Sequence, residues 1–370
     1  MTSPIRVTVI VPFYQGERVL ERSLSALDKS DLPREQWELV TVDDGSTDAS
    51  ATIAARYADT IVRLPGLPRG PAYARNRGFE VSRGEVVLFI DADVVVKPDT
   101  VRRMVELFDS RPDISAAFGS YDAHPAAPGI VSQYRNLLHH YVHQQSAGEA
   151  DTFWGGCGAV RSSAFKEIGM FNEWHFSRPQ IEDIEFGQRL HANGLKILLV
   201  PDIQVTHLKR WTLRNVIATD FRDRGVPWMR LLVHQRQALR PGSLNLRNLE
   251  KLNTVLVWAS LLAVIIGFSP NTTQRWVVAG ELLIVPVFVL NWHLYAFFAR
   301  VRGVFFTLAV IPLHLLYYLV NGVSAGIGWL VHLTVGEPWR DATTEAYHEV
   351  GVRTWPPVPA KRDFGAEART

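Results

Sequence analysis

Val86-Val87-Leu88-Phe89-Ile90-Asp91-Ala92-Asp93 is the stretch of this sequence that decides the fold. Its first five residues are apolar and mostly β-branched or aromatic, which predicts a fully buried strand. Asp91 and Asp93 follow at the carboxyl end of that strand. In open α/β sheets, ligands bind in the crevice outside the carboxyl ends of the strands. Two carboxylates in such a crevice suit a divalent cation shared with a phosphate-bearing ligand, although a solvated acidic turn gives the same short pattern.

The residues before this stretch alternate between strand and helix patterns. Apolar runs predict strands at 7–11, 38–42, 60–64 and 86–90. Amphipathic stretches predict helices at 17–27, 49–57 and 72–81. Such alternation predicts an α/β fold with a mostly parallel sheet and right-handed crossovers.

Polar or special residues follow three of these strands. Pro12 and Tyr14 follow the first strand, Asp44 the second, and Asp91 and Asp93 the fourth. Because the carboxyl ends of parallel strands share one edge of a sheet, we expect these side chains to lie together and form a site.

The signals from residue 112 to residue 207 are mixed, so we expect a mixed sheet that remains mainly parallel. Strand patterns occur at 115–119 and 196–201, and helix patterns at 130–145, 163–168 and 182–192. The net charge of +2 argues against a nucleic-acid partner, because it implies no dominant basic face. Cys157 is the only cysteine, which excludes an intramolecular disulfide and suits a reducing cytoplasm.

The last third of the chain has the composition of a membrane protein. Residues 210–239 mix arginines with aromatic and leucine side chains, which suits helices lying at a membrane surface. Residues 252–335 then carry almost no charge, and a bilayer core about 30 Å thick needs roughly 20 apolar residues per helix. We predict spans at 252–268, 276–299 and 304–335, with a fourth span if the last segment folds back near Asn321-Gly322.

The charge distribution also predicts an orientation. Arg300 and Arg302 lie between the second and third predicted spans, and the positive-inside bias makes that turn cytoplasmic. No signal peptide precedes the Val7 strand. We therefore expect a multi-pass protein of the inner or cell membrane with its α/β domain in the cytoplasm. The predicted parts are an α/β domain at 1–209, interfacial helices at 210–250, a membrane region at 251–336 and a tail at 337–370.

The chain resembles the glycosyltransferases of family 2, which have a GT-A fold, a Rossmann-like nucleotide-sugar-binding domain. The resemblance covers about residues 5–210 and rests on several motifs in the family's order and spacing. These motifs include Val9-Ile10-Val11-Pro12-Phe13-Tyr14, Asp43-Asp44-Gly45-Ser46, Gly70-Pro71-Ala72-Tyr73-Ala74-Arg75-Asn76, Asp91-Ala92-Asp93, Gly155-Gly156-Cys157-Gly158 and Glu182-Asp183.

The resemblance implies a role for each matching residue on the donor side. Asp44 would bind the nucleobase, with Pro12 and Tyr14 lining the base-binding site and Arg75 nearby. Asp91 would contact the ribose or the donor sugar. The donor would be a nucleotide diphosphate sugar.

The resemblance also implies metal and acceptor residues. Asp93 would bind Mn²⁺ or Mg²⁺, with His207 as a further metal or diphosphate ligand. Asp183 would be the catalytic base, with Glu182 as the other candidate. The acceptor or membrane interface would involve Trp154, Gly156, Arg224 and Trp228, although the polysaccharide-synthase motif Gln-x-x-Arg-Trp is absent near Arg224.

The chemistry of sugar transfer independently calls for a metal-binding carboxylate and a carboxylate base. Cleaving a sugar–diphosphate bond builds negative charge on the departing nucleotide, which a divalent ion neutralises as a Lewis acid. Attack from the opposite face of the sugar then needs a carboxylate to take the acceptor's proton. The sequence thus predicts an inverting glycosyltransferase that acts on a lipid-linked or membrane-proximal acceptor in cell-envelope polysaccharide or glycolipid synthesis.

Two alternatives remain open from the sequence. The acceptor could be a polyprenyl phosphate, which needs little base catalysis. In a different class of function, the chain could be a non-catalytic, nucleotide-sensing component of a polysaccharide or lipid export system. The set of Asp44, Asp91, Asp93 and Asp183 argues against that second alternative, because a sensing domain needs no metal ligand and base together.

Overall fold

The computed structural model describes residues 4–235, 248–270 and 272–336, which divide into two compact units. The described part of the first unit comprises residues 4–126 and 146–209, and that of the second comprises 127–145 and 210–336. The predicted tail at 337–370 and residues 236–247 of the predicted interfacial segment lie outside the described residues.

Within the described residues, the first unit contains a nine-stranded mixed sheet. Its strands are β1 (Val7–Phe13), β2 (Trp37–Asp43), β3 (Thr60–Arg63), β4 (Val86–Ile90), β5 (Val94–Val96), β6 (Ile114–Tyr121), β7 (Gly148–Ala150), β8 (Cys157–Arg161) and β9 (Lys196–His207). The order is β3-β2-β1-β4-β8-β6-β9-β5, with β7 also paired to β9. The mixed α/β sheet is confirmed.

The direction of the strands changes in the middle of the sheet. Strands β3, β2, β1 and β4 are parallel, as the alternating pattern predicts. Strand β8 then lies antiparallel between β4 and β6, and β5 and β7 run antiparallel to β9. Parallel pairing therefore dominates only the first half of the sheet, together with the β6–β9 pair.

The chain up to residue 192 contains seven α-helices within the described residues. They are α1 (Leu20–Leu27), α2 (Ser50–Ala54), α3 (Pro71–Glu80), α4 (Thr100–Ser110), α5 (Ile130–Gln144), α6 (Ser162–Glu167) and α7 (Glu182–Ala192). Helix α5 belongs to the second unit and the other six to the first.

Four phenylalanine rings connect strand β4 to helix α7. The Phe89 ring on β4 lies 5.3 Å from Phe165 and 5.2 Å from Phe171, centroid to centroid. The Phe186 ring on α7 contacts the same two rings at 5.2 and 4.9 Å. All four side chains are fully buried, so this cluster packs the strand that ends in the aspartates against the helix that begins with Glu182-Asp183.

The second unit consists of helices within the described residues. A continuous helical stretch contains α8 (Leu213–Ala218), a π-helical turn at Thr219–Gly225 and α9 (Val226–His234). The apolar helices are α10 (Asn248–Gly267), α11 (Arg275–Leu290), α12 (Trp292–Arg302) and α13 (Val304–Val335). Helices α10 and α13 are long and apolar enough to cross a membrane.

The predicted second span is broken. Helices α11 and α12 meet at Asn291 with a bend of 63°, so the second unit has two unbroken candidate spans and one bent pair. The buried Asn291 donates from Nδ2 to the Val287 carbonyl and accepts from the Tyr318 hydroxyl at 3.2 Å. Helix α13 continues through Asn321 and Gly322 to Val335, so the last segment does not fold back there as a fourth span would require.

Candidate active site

Asp44 lies directly after β2 and organises the loop that leads into α3. Its carboxylate accepts hydrogen bonds from the backbone N–H of Arg69 at 3.0 Å and of Gly70 at 2.7 Å. Burial raises the pKa of Asp44, and these two backbone donors act against that rise. Gly70 has φ of 90°, and a Cβ there would lie 2.7 Å from the Arg178 backbone nitrogen, so this close approach requires glycine.

The other two predicted base-binding residues lie at the end of β1. Pro12 pairs with Val42 in the parallel register of β1 and β2. Tyr14 follows the strand with 49% of its surface exposed, so its ring is available to a ligand at the carboxyl edge of the sheet.

Arg75 joins two acidic residues that are distant in sequence. Its Nη2 donates to Asp91 Oδ1 at 2.8 Å, and its Nη1 donates to Glu182 Oε1 at 2.9 Å. Burial opposes the charge of this guanidinium, but the two carboxylates raise the pKa of Arg75 above its ordinary value. Arg75 is therefore a charged group held inside the protein, with only 3% of its surface exposed.

The two aspartates after β4 have different surroundings. Asp91 contacts Arg75, whereas Asp93 Oδ2 lies 3.4 Å from Nε2 of His207 at the end of β9. Burial raises the pKa of Asp91. Burial also works against the charge of Asp93, but His207 and Lys209 bring the pKa of Asp93 below its ordinary value. Because Arg75 already binds Asp91, Asp93 is the better of the two to bind a cation.

An aromatic stack holds the His207 ring. The Tyr121 ring lies parallel to it at 4.4 Å, and the Trp154 ring meets Tyr121 edge-on at 4.7 Å. Gly156 lies under the indole, since a Cβ there would be 2.5 Å from the Trp154 ring. Sequence reasoning missed Tyr121, and the only signal for it was its position at the carboxyl end of a strand.

The first turn of α7 carries both candidate bases. Asp183 accepts from the Gly155 N–H at 3.0 Å through Oδ2 and from the Ile184 N–H at 2.8 Å through Oδ1. Glu182 is buried, and its oxygens accept from Arg75 and from the Gln180 N–H. Both carboxylates therefore bind protein donors, but Glu182 is buried and Asp183 is only partly buried.

The remaining predicted residues divide between the two units. Trp154 and Gly156 belong to the first unit, beside the aromatic stack. Arg224 lies in the π-helical turn and Trp228 in α9, both in the second unit. The described residues contain no group of three or more His, Cys, Asp or Glu side chains positioned to hold a metal. A cation at Asp93 and His207 would therefore need ligands from the substrate or solvent as well.

Comparison with known proteins identifies relatives of the first unit. Residues 8–169 match the family model described as Glycosyl transferase family 2. A stretch of 109 residues is 32% identical to the poly(ribitol-phosphate) beta-N-acetylglucosaminyltransferase TarS of Staphylococcus aureus, and covers 28% of this chain and 19% of TarS. The glycosyltransferase GlyG of Streptococcus pneumoniae is 26% identical over 241 residues, 61% of this chain and 77% of GlyG. The first four curated relatives are matched over 16–30% of their own length.

A solved structure has the same fold. The mannosyltransferase PcManGT from Pyrobaculum calidifontis, in complex with GDP-Man and Mn²⁺, superposes with a TM-score of 0.57 and 19% identity. The match covers 91% of this chain and 89% of that chain. The predicted GT-A fold is confirmed.

Proposed function

Because residues 8–169 match the glycosyl transferase family 2 model, we propose that this chain is a glycosyltransferase. We further propose that it is membrane-anchored, inverting and metal-dependent. It transfers a sugar from a nucleotide diphosphate sugar to a lipid-linked or membrane-proximal acceptor. The observation that carries the proposal is the network around Arg75, which links Asp91 after β4 to the Glu182-Asp183 turn of α7. The link between a proposed donor-side carboxylate and a candidate base supports a transfer site around these residues.

The donor's base is bound beside Asp44, between Pro12 and Tyr14. A carboxylate offers about four acceptor positions, and two backbone donors, the N–H groups of Arg69 and Gly70, bind it at Asp44. The positions that remain can accept a nucleobase N–H. The PcManGT complex holds a nucleotide sugar on the same fold, which supports a donor of this class.

Asp93 and His207 bind the divalent ion, Mn²⁺ or Mg²⁺. A carboxylate that is ionised at neutral pH, as Asp93 supplies, is the form that binds a cation. The two side chains lie 3.4 Å apart at their nearest atoms, and diphosphate oxygens and water complete the shell. When bound, the ion neutralises charge on the departing nucleotide.

Asp183 takes the proton from the acceptor. The positive end of the α7 dipole and the N–H groups of Gly155 and Ile184 favour its ionised form. Glu182 is the weaker candidate, because it is buried and its charge is paired with that of the buried Arg75. Direct displacement with such a base inverts the sugar's configuration.

The second unit anchors the protein where its acceptor is. Helices α10 and α13 supply the membrane spans. Arg224 and Trp228 lie in the helical stretch before them, where arginine and tryptophan suit the lipid interface. We expect the protein to stay in the membrane pellet after an alkaline carbonate wash, with the catalytic unit on the cytoplasmic side. Release into the supernatant would contradict the anchoring.

A thermal-shift screen of the detergent-purified protein tests the donor class. We expect one family of nucleotide diphosphate sugars to raise the melting temperature in the presence of Mn²⁺ or Mg²⁺. Ligand at 100 times its Kd adds about 2.7 kcal/mol, which is roughly 5 to 10 °C for a domain of this size. The matching nucleosides and an EDTA-treated sample serve as controls. No stabilisation by any nucleotide diphosphate sugar would reject the proposed function.

A further inference from the structure

Arg75 has a role that differs from nucleotide binding. We propose that Arg75 is a positioning residue, which fixes the Glu182-Asp183 turn relative to Asp91 and does not touch the nucleotide. This inference rests on the proposed function, because it assigns Arg75 a task in the same transfer reaction.

The Arg75 side chain is almost fully buried, which keeps its guanidinium from contact with a ligand. Its two terminal nitrogens donate to Asp91 and Glu182, and its buried Nε has no hydrogen-bond partner among the described residues. A Cβ on Gly155 would lie 3.0 Å from the guanidinium carbon, so the Gly155 backbone covers the group closely. The Phe171 ring lies 5.3 Å from the same carbon.

Arg75 reaches the proposed base by two routes. Glu182, which it binds, precedes Asp183 in the chain. Gly155, which packs on its guanidinium, donates its N–H to Asp183 Oδ2. The contact with Asp91 ties both routes to the donor side of the cleft. A change at Arg75 therefore moves the base relative to the donor.

The neighbours of Arg75 on α3 make its position rigid. Asn76 accepts from the Phe171 N–H and donates to the Phe171 carbonyl, at 3.1 and 2.9 Å. Asn76 and Arg77 both donate to the buried Glu173. These bonds fasten the segment before α7 to α3, so the guanidinium acts from a fixed helix.

The first test compares Arg75→Lys with the wild type. Lysine keeps the charge but cannot reproduce a planar fork that binds two carboxylates at once. We expect nucleotide diphosphate binding, measured by calorimetry, to change less than threefold. The kcat for transfer at saturating donor should fall about 100-fold, as a small misplacement of a reacting group can cause. Weaker nucleotide binding by tenfold or more with an unchanged kcat would overturn the proposal.

Arg83→Lys is the matched control. Arg83 also binds a buried glutamate, Glu38, but at the amino end of β4. We expect its kcat and nucleotide affinity to equal those of the wild type. An equal loss of kcat in Arg83→Lys would show that the Arg75 effect is a general loss of stability and would reject the positioning role.

A further variant guards against misfolding. Removing Arg75 alone leaves Glu182 as an uncompensated buried charge, which is strongly destabilising. We expect Arg75→Met/Glu182→Gln to melt at a higher temperature than Arg75→Met and to keep the low kcat. Recovery of wild-type kcat in the double variant would contradict the positioning role.

Hydrogen exchange separates this inference from the proposed function. In Arg75→Lys, we expect faster exchange of the Gly155 amide and of the first-turn amides of α7, which is measured without turnover. Unchanged exchange would reject the positioning role even if the enzyme is active. Faster exchange in a protein that neither binds nor transfers sugar would support only the structural part, that Arg75 fixes the Glu182-Asp183 turn, while rejecting the proposed function.

Discussion

Replacing Asp183 with Asn is expected to lower kcat for transfer to a hydroxyl acceptor by about 100- to 10,000-fold, the usual contribution of general base catalysis. Asparagine has nearly the same shape and can still accept a bond from Gly155, but it cannot take a proton. Donor binding should remain near the wild-type value, because the donor-side residues Asp44, Asp91 and Asp93 are untouched. Initial rates at saturating donor, with calorimetric Kd values for the donor, check both expectations.

Asp202→Asn is the control for this variant, because Asp202 is an exposed residue of the same unit, on β9. It should retain wild-type kcat. A loss smaller than tenfold in Asp183→Asn would contradict the role as base. If Asp183→Asn loses less than tenfold in kcat with a polyprenyl phosphate as acceptor, the phosphate-acceptor alternative is favoured. An ionised phosphate has no proton for a base to take.

Replacing Asp93 with Ala is expected to abolish metal-dependent transfer. The substitution removes the carboxylate nearest to His207, and the described residues offer no third protein ligand to compensate. The thermal shift caused by Mn²⁺ together with the nucleotide sugar should also disappear. Transfer assays over a Mn²⁺ titration, together with melting curves, measure both effects.

Asp202→Ala again supplies a control that removes a carboxylate from β9 without touching the cleft. His207→Ala should raise the Mn²⁺ concentration needed for half-maximal activity without abolishing transfer, because Asp93 is still present. Wild-type activity of Asp93→Ala in Mn²⁺-containing buffer would contradict the metal site. Asp91 and Asp93 would then be a solvated acidic turn after a strand.

The parts of the fold that sequence predicts well are those with strong local signals. Strand β4 begins and ends where its apolar run does, and α7 begins at the Glu-Asp pair. Long-range pairing has no such signal. The antiparallel insertion of β8 depends on small residues such as Gly158, where a Cβ would lie 2.4 Å from the Phe153 ring.

Strand β9 was predicted to end at Pro201 but continues to His207. Proline removes a backbone donor and usually ends a strand or marks a bulge. Here the register with β6 shifts between Phe118 and Ser120, and a Cβ on Gly119 would lie 2.3 Å from the Ile203 carbonyl oxygen. The bulge accommodates the proline, and a single sequence does not reveal it.

The sequence predicts which residues form the candidate site better than it predicts the contacts between them. The strand-end rule identifies Asp44, Asp91 and Asp93 as neighbours along one edge. The rule cannot show that both terminal nitrogens of Arg75 donate to protein carboxylates. Nor can it show that the Tyr121 ring stacks on His207. Those contacts form between residues 16 to 107 positions apart in the chain, so no local pattern encodes them.

The strand order has a consequence for how the protein is made. Strand β4 pairs with β8, which is made later in the chain. Strand β6 pairs with β8 and with β9, and β9 ends at His207. A nascent chain that has emerged only to residue 169, where the family match ends, lacks α7 and β9. The candidate site therefore stays incomplete until residue 207 has been made, and a truncation at residue 169 should yield an insoluble fragment, not a smaller enzyme.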